Sequence, residues 1–251
     1  MSVRKKYKLQ QLAVTLLLGI IFGSMAYFSA EDYLKEFVLE YGEKYYHCTD
    51  FFNVLFYRDE FKQFPYIRKV DISLIQIAIS YFIPAVFIGA WKYAKEPASY
   101  YGMLAVRSDT MYSLVEKIRG SLFKQFATYT AGYFIAILCW LSYYKPNGEG
   151  LLYIAKNSGV ILVILWFSRS LFLALIGKII FQIHIRIGIG VGIFFGCVFM
   201  MVGFMLDVQI SNINYMLYHV DNSFLDSILI SIVGLGILEI VERKERLKIQ
   251  N

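Results

Sequence analysis

Residues 9–30 read LQQLAVTLLLGIIFGSMAYFSA, a stretch of 22 residues without a charged side chain. A helix needs about 20 mainly apolar residues to cross the hydrocarbon core of a bilayer. Four basic residues precede the stretch: Arg4, Lys5, Lys6 and Lys8. A signal peptide begins in the same way, but its apolar region is usually shorter than this one. The stretch therefore predicts a first transmembrane helix, and cleavage near the small residues Ser29 and Ala30 is the alternative.

Five more apolar stretches follow, at residues 72–91, 125–144, 157–177, 187–206 and 223–241. The third of these contains Arg169 near its middle, and the last has Asp226 and Glu239 close to its ends. The composition agrees with a membrane protein, since 58% of the residues are hydrophobic and 18% are charged, whereas about a quarter are charged in soluble domains. We therefore predict one all-α polytopic membrane domain over residues 1–251, with six transmembrane helices.

The distribution of Lys and Arg predicts the orientation of these helices. With both termini inside, the inner segments carry 16 of the 25 basic residues and the outer segments carry eight. Arg169, within a span, is the remaining one. Because cytoplasmic loops of membrane proteins are enriched in Lys and Arg, we expect an N-in, C-in protein of the plasma membrane. Residues 31–71 then form an outer loop, residues 92–124 form an inner loop, and residues 178–186 form a short inner turn that contains Lys178 and His184.

Neither a catalytic set nor a metal-binding pattern is evident. The chain has no GxxxxGK[ST] motif, so it could not hydrolyse ATP by itself, and it has neither HExxH nor GxSxG. Cys139 and Cys197 lie in apolar stretches and leave only Cys48 in a polar segment, so no disulfide framework is indicated. The basic residues flank apolar stretches instead of sharing one polar face, which disfavours nucleic acid as a partner. We expect no enzyme activity, cofactor or metal in this chain.

The outer loop 31–71 is rich in aromatic residues. Leu34, Phe37, Val38, Tyr41 and Tyr45 recur at helical spacing with charged residues between them, which predicts an amphipathic helix. A second aromatic cluster follows at Phe51, Phe52, Phe56, Tyr57, Phe61, Phe64 and Tyr66. One interpretation is a helical hairpin in the outer headgroup layer, where aromatic rings are favoured, and the other is a cap that touches an amphipathic substrate. The candidate contact residues are Phe37, Tyr41, Tyr45, Phe52 and Phe56.

The inner loop 92–124 contains a second amphipathic pattern. Pro97 stops the helix of the second span, and Ser108 or Asp109 is a suitable N-cap for a short helix over residues 110–119. Its apolar face would consist of Met111, Leu114, Val115 and Ile118, with Arg107, Lys117, Arg119 and Lys124 around it. Gly120 then permits a turn into the third span. The short helix is either an interfacial helix with basic anchors or a surface presented to a cytoplasmic partner.

Taken together, these features resemble ABC-2-type (exporter-type) permease subunits, in particular the small permeases of bacterial bacteriocin-immunity and peptide exporters. The segment Leu104-Ala105-Val106-Arg107-Ser108, followed by Tyr112 and Lys117, is similar to an aliphatic–Arg–Ser, aromatic, Lys pattern of that family. The resemblance covers the whole chain as topology and a short segment as motif. It implies that the inner loop carries a coupling helix that sits in a groove of a separate ATPase subunit, and that ATP binds to that subunit. The coupling residues would be Arg107, Ser108, Met111, Leu114, Lys117 and Arg119.

Charged and small residues within the spans suggest further contacts. Arg169 either faces a transport pathway or forms a structural pair with another helix, for which Glu239 is the available acidic partner although its depth matches poorly. Gly188, Gly192 and Gly196 recur every four residues, the spacing that lets membrane helices approach closely. They would pack within the chain or against a second permease subunit, which is either a copy of this chain or a sister protein.

The sequence therefore favours a permease subunit of an ATP-driven exporter in the lipid bilayer. A peptide or lipid-like amphipathic cargo is implied by the resemblance, and the lack of charged rows in the spans agrees with it. The alternative is a non-transporting membrane protein, such as an immunity factor, a sensor or a scaffold, whose aromatic outer loop binds a peptide. A secondary transporter would show inverted repeats, and residues 1–125 and 126–251 show no convincing repeat.

Overall fold

The computed structural model describes residues 3–41, 51, 55, 81–84, 86–88, 90, 111–145, 148, 151–209 and 225–250. Side chains are described over a narrower set, which leaves out residues 3–8, 36–41, 111–121, 203–209, 225–227 and 242–250 among others. The long helices are α1 (Val3–Tyr41), α2 (Met111–Tyr144), α3 (Leu151–Arg186), α4 (Ile189–Gln209) and α5 (Leu225–Gln250). The described residues between 81 and 90 are also helical. No strand occurs in these ranges, which confirms the all-helical prediction for them.

Three of the helices are long and apolar enough to cross a membrane. The segments are Leu9–Lys35 of α1, Leu122–Tyr144 of α2 and Leu162–His184 of α3. Shorter apolar segments are Ile189–Val202 in α4 and Ile228–Val241 in α5. Each of the five overlaps a predicted span, and the long ones support membrane association by their length and composition.

Helices α1 and α2 run in the same direction along their contact. Gly132 of α2 lies beside the carbonyl oxygen of Leu16 in α1, and the Trp140 indole donates a hydrogen bond of 2.9 Å to Ser24 Oγ. Both helices advance by eight residues between these two contacts, so their N-termini lie at the same end of the bundle. The described helical residues at 81–90 lie between α1 and α2 in the sequence and contact α2 through Tyr81.

Three glycines bring the backbones of α1 and α2 unusually close together. A Cβ atom on Gly19 would lie 3.0 Å from Tyr133 N, and one on Gly23 would lie 2.8 Å from Tyr133 Cα. A Cβ atom on Gly132 would meet the carbonyl oxygen of Leu16. Because backbone atoms cannot rotate out of the way, only glycine allows this spacing, as in other closely packed membrane helices. The sequence predicted close glycine packing on α4, and this contact between α1 and α2 was not predicted.

Helix α3 turns back into α4 through a tight connection. Gly188 has a φ of 136°, a conformation that side-chain-bearing residues rarely adopt. After the turn, added Cβ atoms would lie 2.9 Å from Ile180 O at Gly192 and 2.8 Å from Ile180 Cδ1 at Gly196. Two of the three predicted packing glycines therefore pack within the chain, and Gly188 forms the turn instead.

Three helices continue through segments that the sequence analysis treated as loops or turns. Residues 31–41 are helical but extend α1 without a break, so they do not begin a separate outer helix. The prediction of a separate short helix over residues 110–119 with a turn at Gly120 is wrong, because α2 begins at Met111 and runs through Gly120. The prediction of a turn at residues 178–186 is also wrong, because these residues belong to α3. One interior glycine costs a helix only about 1 kcal/mol, and no proline interrupts any of these segments.

Candidate functional site

Two buried basic side chains lie nine residues apart in α3. Arg169 is 2% exposed and Lys178 is 4% exposed. Both lie within the part of α3 that is long and apolar enough to cross a membrane. At about 1.5 Å per residue, they are roughly 13 Å apart along the helix. A charge within a membrane span costs a few kcal/mol, so such residues are functional candidates by default.

Arg169 lies against aromatic rings of the 81–90 segment. Its guanidinium carbon is 5.8 Å from the ring centroid of Tyr81 and 5.5 Å from that of Phe82. Phe82 in turn meets Phe172 of α3 edge to face, with the ring centroids 5.8 Å apart. A cation over an aromatic ring gains about 2 kcal/mol where water is excluded. These contacts therefore offset part of the cost of burying the charge.

Tyr81 is itself fixed by hydroxyl groups of α2. The Tyr129 hydroxyl donates to the carbonyl oxygen of Tyr81 at 3.1 Å. Thr130 Oγ1 donates its single hydrogen to the Phe126 carbonyl at 2.8 Å. In the 3.3 Å contact between Tyr81 and Thr130, the Tyr81 hydroxyl is therefore the donor. The ring of Tyr133 packs edge to face on Tyr81, with the centroids 4.9 Å apart. This pairing of buried hydroxyls is what an apolar interior requires.

We call this set of contacts the arginine–aromatic cluster, and its members are Tyr81, Phe82, Tyr129, Thr130, Tyr133, Arg169 and Phe172. It joins the 81–90 segment, α2 and α3 inside the bundle. Aromatic contacts of this kind favour a structural role for Arg169 over direct contact with a transported molecule. The tyrosines were not among the predicted site residues. The position of Tyr81 and Tyr133 near the middle of predicted spans was a usable signal, because tyrosine normally lies at the membrane surface and a buried hydroxyl needs a partner.

Lys178 lies on a face of α3 that is directed at α5. Leu175, Lys178 and Gln182 are three and four residues apart, which places them along one stripe of the helix, and all three are buried. A Cβ atom on Gly234 of α5 would lie 3.0 Å from the side chain of Leu175, so this stripe faces α5. Lys178 does not lie in a turn as predicted, because α3 runs to Arg186 and the turn comes later in the chain, at residues 187–188.

The contact of Gly234 with Leu175 also helps to locate Glu239 of α5 along the axis of α3. If α3 and α5 run in the same direction, as six alternating spans require, Glu239 lies level with Ile180. That level is 11 residues beyond Arg169, or about 16 Å along the axis. In that arrangement, Glu239 would lie too far along the axis from Arg169 for a direct ion pair.

An aromatic cluster lies near the C-terminal ends of the apolar segments of α1 and α2. Tyr27 stacks on Phe51, with ring centroids 4.9 Å apart and planes within 3°, and it also stacks on Trp140 and Tyr144. Tyr143 is 75% exposed at the end of α2. Amphipathic rings of this kind are favoured at a membrane surface. Phe51 thus belongs to the bundle, although the sequence analysis singled out its neighbours Phe52 and Phe56.

The other predicted site residues are described in part or fall outside the description. Met111, Leu114, Lys117 and Arg119 lie on the first turns of α2, where the structure describes the backbone alone. Phe37 and Tyr41 are likewise part of the α1 backbone. Arg107, Ser108, Tyr45, Phe52 and Phe56 lie outside the described residues.

The chain was compared with protein families, curated proteins and solved structures. No family model, no curated protein and no solved structure matches it.

Proposed function

We propose that this chain is the membrane-spanning permease subunit of an ATP-driven exporter. It would cross the plasma membrane six times with both termini inside, and a separate cytoplasmic ATPase would supply the energy. An amphipathic peptide or lipid-like molecule is the proposed cargo, and a second permease subunit would complete the transporter.

The common direction of α1 and α2 supports this topology. Two helices that start at the same end require one crossing between them, and the helical residues at 81–90 lie where that crossing is expected. The end at which α1 and α2 begin carries Arg4, Lys5, Lys6, Lys8, Lys117, Arg119 and Lys124. If the buried Lys178 is no longer counted with the inner loops, these loops carry 15 basic residues and the outer loops carry eight. The asymmetry that favours N-in, C-in therefore remains nearly twofold.

The observation that carries the proposal is the unbroken path of α2. The helix has 34 residues, which makes it about 51 Å long, and its uncharged stretch begins only at Gln125. Residues 111–121 therefore lie before that stretch, over about 16 Å of helix. These residues include Met111, Leu114 and Lys117 of the segment that resembles a coupling helix.

An unbroken helix transmits displacement more directly than the short helix and turn that the sequence predicted. A push on residues 111–121 moves the part of α2 that carries Tyr129 and Gly132, because no hinge separates them. Tyr129 bonds Tyr81 of the 81–90 segment, and Gly132 packs on α1. The movement would therefore reach both neighbours of α2. This is the mechanical coupling that an ATP-driven permease requires.

Co-purification tests the proposal. The chain is purified from its native membrane in mild detergent, and its partners are identified by mass spectrometry as proteins with or without a GxxxxGK[ST] motif. We expect a protein with that motif to co-purify and to hydrolyse ATP. Met111→Asp and Leu114→Asp should lower its recovery about tenfold or more, a loss of at least ~1.4 kcal/mol of binding. Lys145→Glu, an exposed residue at the other end of α2, is the matched control.

Other outcomes contradict the proposal in distinct ways. Equal recovery of the ATPase with the Met111→Asp and Leu114→Asp variants removes the coupling role of α2. Absence of any ATPase, together with saturable binding of an amphipathic peptide, would instead support the non-transporting immunity or sensor function. The unfolding midpoint of each variant in detergent shows whether a loss of partner reflects a loss of fold.

A further inference from the structure

Helix α5 projects beyond its apolar segment, as α2 does. The sequence becomes strongly charged after Val241, but the helix continues to Gln250. Residues 242–250 therefore extend the helix by about 13 Å.

The two projecting helices are connected to each other through α3. The side chain of Leu175 meets Gly234 of α5, and the ring of Phe126 of α2 lies 2.7 Å from where a Cβ atom on Gly177 would be. Leu175 and Gly177 are two residues apart, so α2 and α5 both contact α3 at one level. In the six-span arrangement the first residues of α2 and the last residues of α5 then lie at the same inner end of the bundle.

Both projections carry more basic than acidic side chains. Residues 242–250 contain two acidic and four basic side chains, Glu242, Arg243, Lys244, Glu245, Arg246 and Lys248. Glu242 and Arg246 are four residues apart in the order that stabilises an exposed helix. Residues 111–121 contain Glu116, Lys117 and Arg119. A surface that complements both projections must therefore be acidic.

The direction of the projections distinguishes a soluble partner from lipid. A helix that binds a membrane surface lies in its plane with an apolar face inserted. Residues 242–250 continue the axis of a membrane segment instead. The headgroup layer is roughly 5–8 Å thick on each side of the core, so projections of about 13 and 16 Å extend past it into water.

We propose that residues 242–250 of α5 and residues 111–121 of α2 together form a two-point docking surface for an acidic face of the ATPase subunit. This inference rests on the proposed permease function. Contact at two helices that both pack on α3 lets the ATPase move α2 relative to α5, with α3 between them.

Charge reversal tests the second contact in the full-length chain. In the variant Arg243→Glu/Arg246→Glu/Lys248→Glu, recovery of the co-purified ATPase should fall about tenfold or more. The loss should be smaller in relative terms at high salt, because screening weakens the original attraction. The matched control is Lys145→Glu/Lys156→Glu, which reverses one exposed charge just beyond the end of α2 and one on α3 and should leave recovery unchanged.

The outcomes separate this inference from the function on which it rests. If the triple variant retains the ATPase while Met111→Asp loses it, the second contact is wrong and the permease function stands. If the wild-type chain brings down no ATPase, both fail. If the triple variant retains the ATPase and instead loses affinity for vesicles with anionic headgroups, the last turns of α5 bind lipid and the proposed docking surface is overturned.

Discussion

Replacing Gly23 by alanine is expected to weaken the contact between α1 and α2. The added methyl group would lie 2.8 Å from Tyr133 Cα, and it would lie closer still to the carbonyl oxygen of Tyr133. Carbon atoms in contact prefer a separation of about 3.5–4.0 Å. The helices must therefore separate by roughly 1 Å, because the obstructing atoms belong to the backbone.

The expected loss of stability follows from the packing contacts that this separation weakens. A gap of about 1 Å forfeits up to half of the attraction of each atom pair at the crossing, and overpacking of a filled interior typically costs about 1–3 kcal/mol. Alanine also has a helix propensity about 1 kcal/mol better than glycine. The steric cost of Gly23→Ala is therefore best measured against a glycine replacement that meets no obstacle.

Gly236→Ala in α5 is that control, since nothing lies within 4 Å of the position of its Cβ atom. Both variants are unfolded in mixed micelles with increasing fractions of SDS, and helix content is followed by circular dichroism. We expect the free energy of unfolding of Gly23→Ala to be about 1–3 kcal/mol lower than that of Gly236→Ala. A difference below about 0.5 kcal/mol, the usual scatter of a neutral substitution, would refute the close α1–α2 crossing.

Further predictions concern the arginine–aromatic cluster, the aromatic end of α2 and the α3–α4 turn. A double-mutant cycle of Arg169→Met with Phe82→Leu should give a coupling free energy of about 1–2 kcal/mol, and a value near zero would contradict the cation–aromatic contact. Trp140→Phe and Ser24→Ala should each lower the unfolding free energy by about 0.5–1 kcal/mol, and by no more when combined, because both remove one hydrogen bond. Gly188→Ala should cost about 1–3 kcal/mol by the same unfolding assay, because its φ of 136° is strained for alanine.

Much of the fold follows from the sequence because lipid imposes a simple rule on it. Uncharged stretches of about 20 residues must become helices, since no water is present to satisfy a free backbone. The apolar segments of α1, α2 and α3 illustrate the rule, and all overlap predicted spans. Helix ends are less predictable. Nothing in residues 31–41, in Gly120 or in residues 178–186 forbids a helix, so the helices continue past the ends of the apolar stretches.

The candidate site was harder to predict because it depends on which faces of the helices meet. Arg169 was recognisable as a buried charge, but its aromatic neighbours Tyr81 and Phe82 are nearly 90 residues away in the sequence. Similarly, the spacing of the α4 glycines resembles a packing motif, whereas the closest crossing uses Gly19 and Gly132, on different helices. A single sequence gives the periodicity of each helix and does not give the partner of each face.

The most direct test of the account is the side of the membrane on which the helix ends lie. Cys48, Cys139 and Cys197 are replaced by serine, and single cysteines are then introduced by Lys117→Cys, Lys145→Cys and Lys248→Cys. Each variant is exposed to a membrane-impermeant maleimide in intact cells and after permeabilisation. The account predicts labelling of position 145 in intact cells and labelling of positions 117 and 248 only after permeabilisation. Labelling of position 248 in intact cells, or of positions 117 and 145 on the same side, would contradict the six-span arrangement with both termini inside.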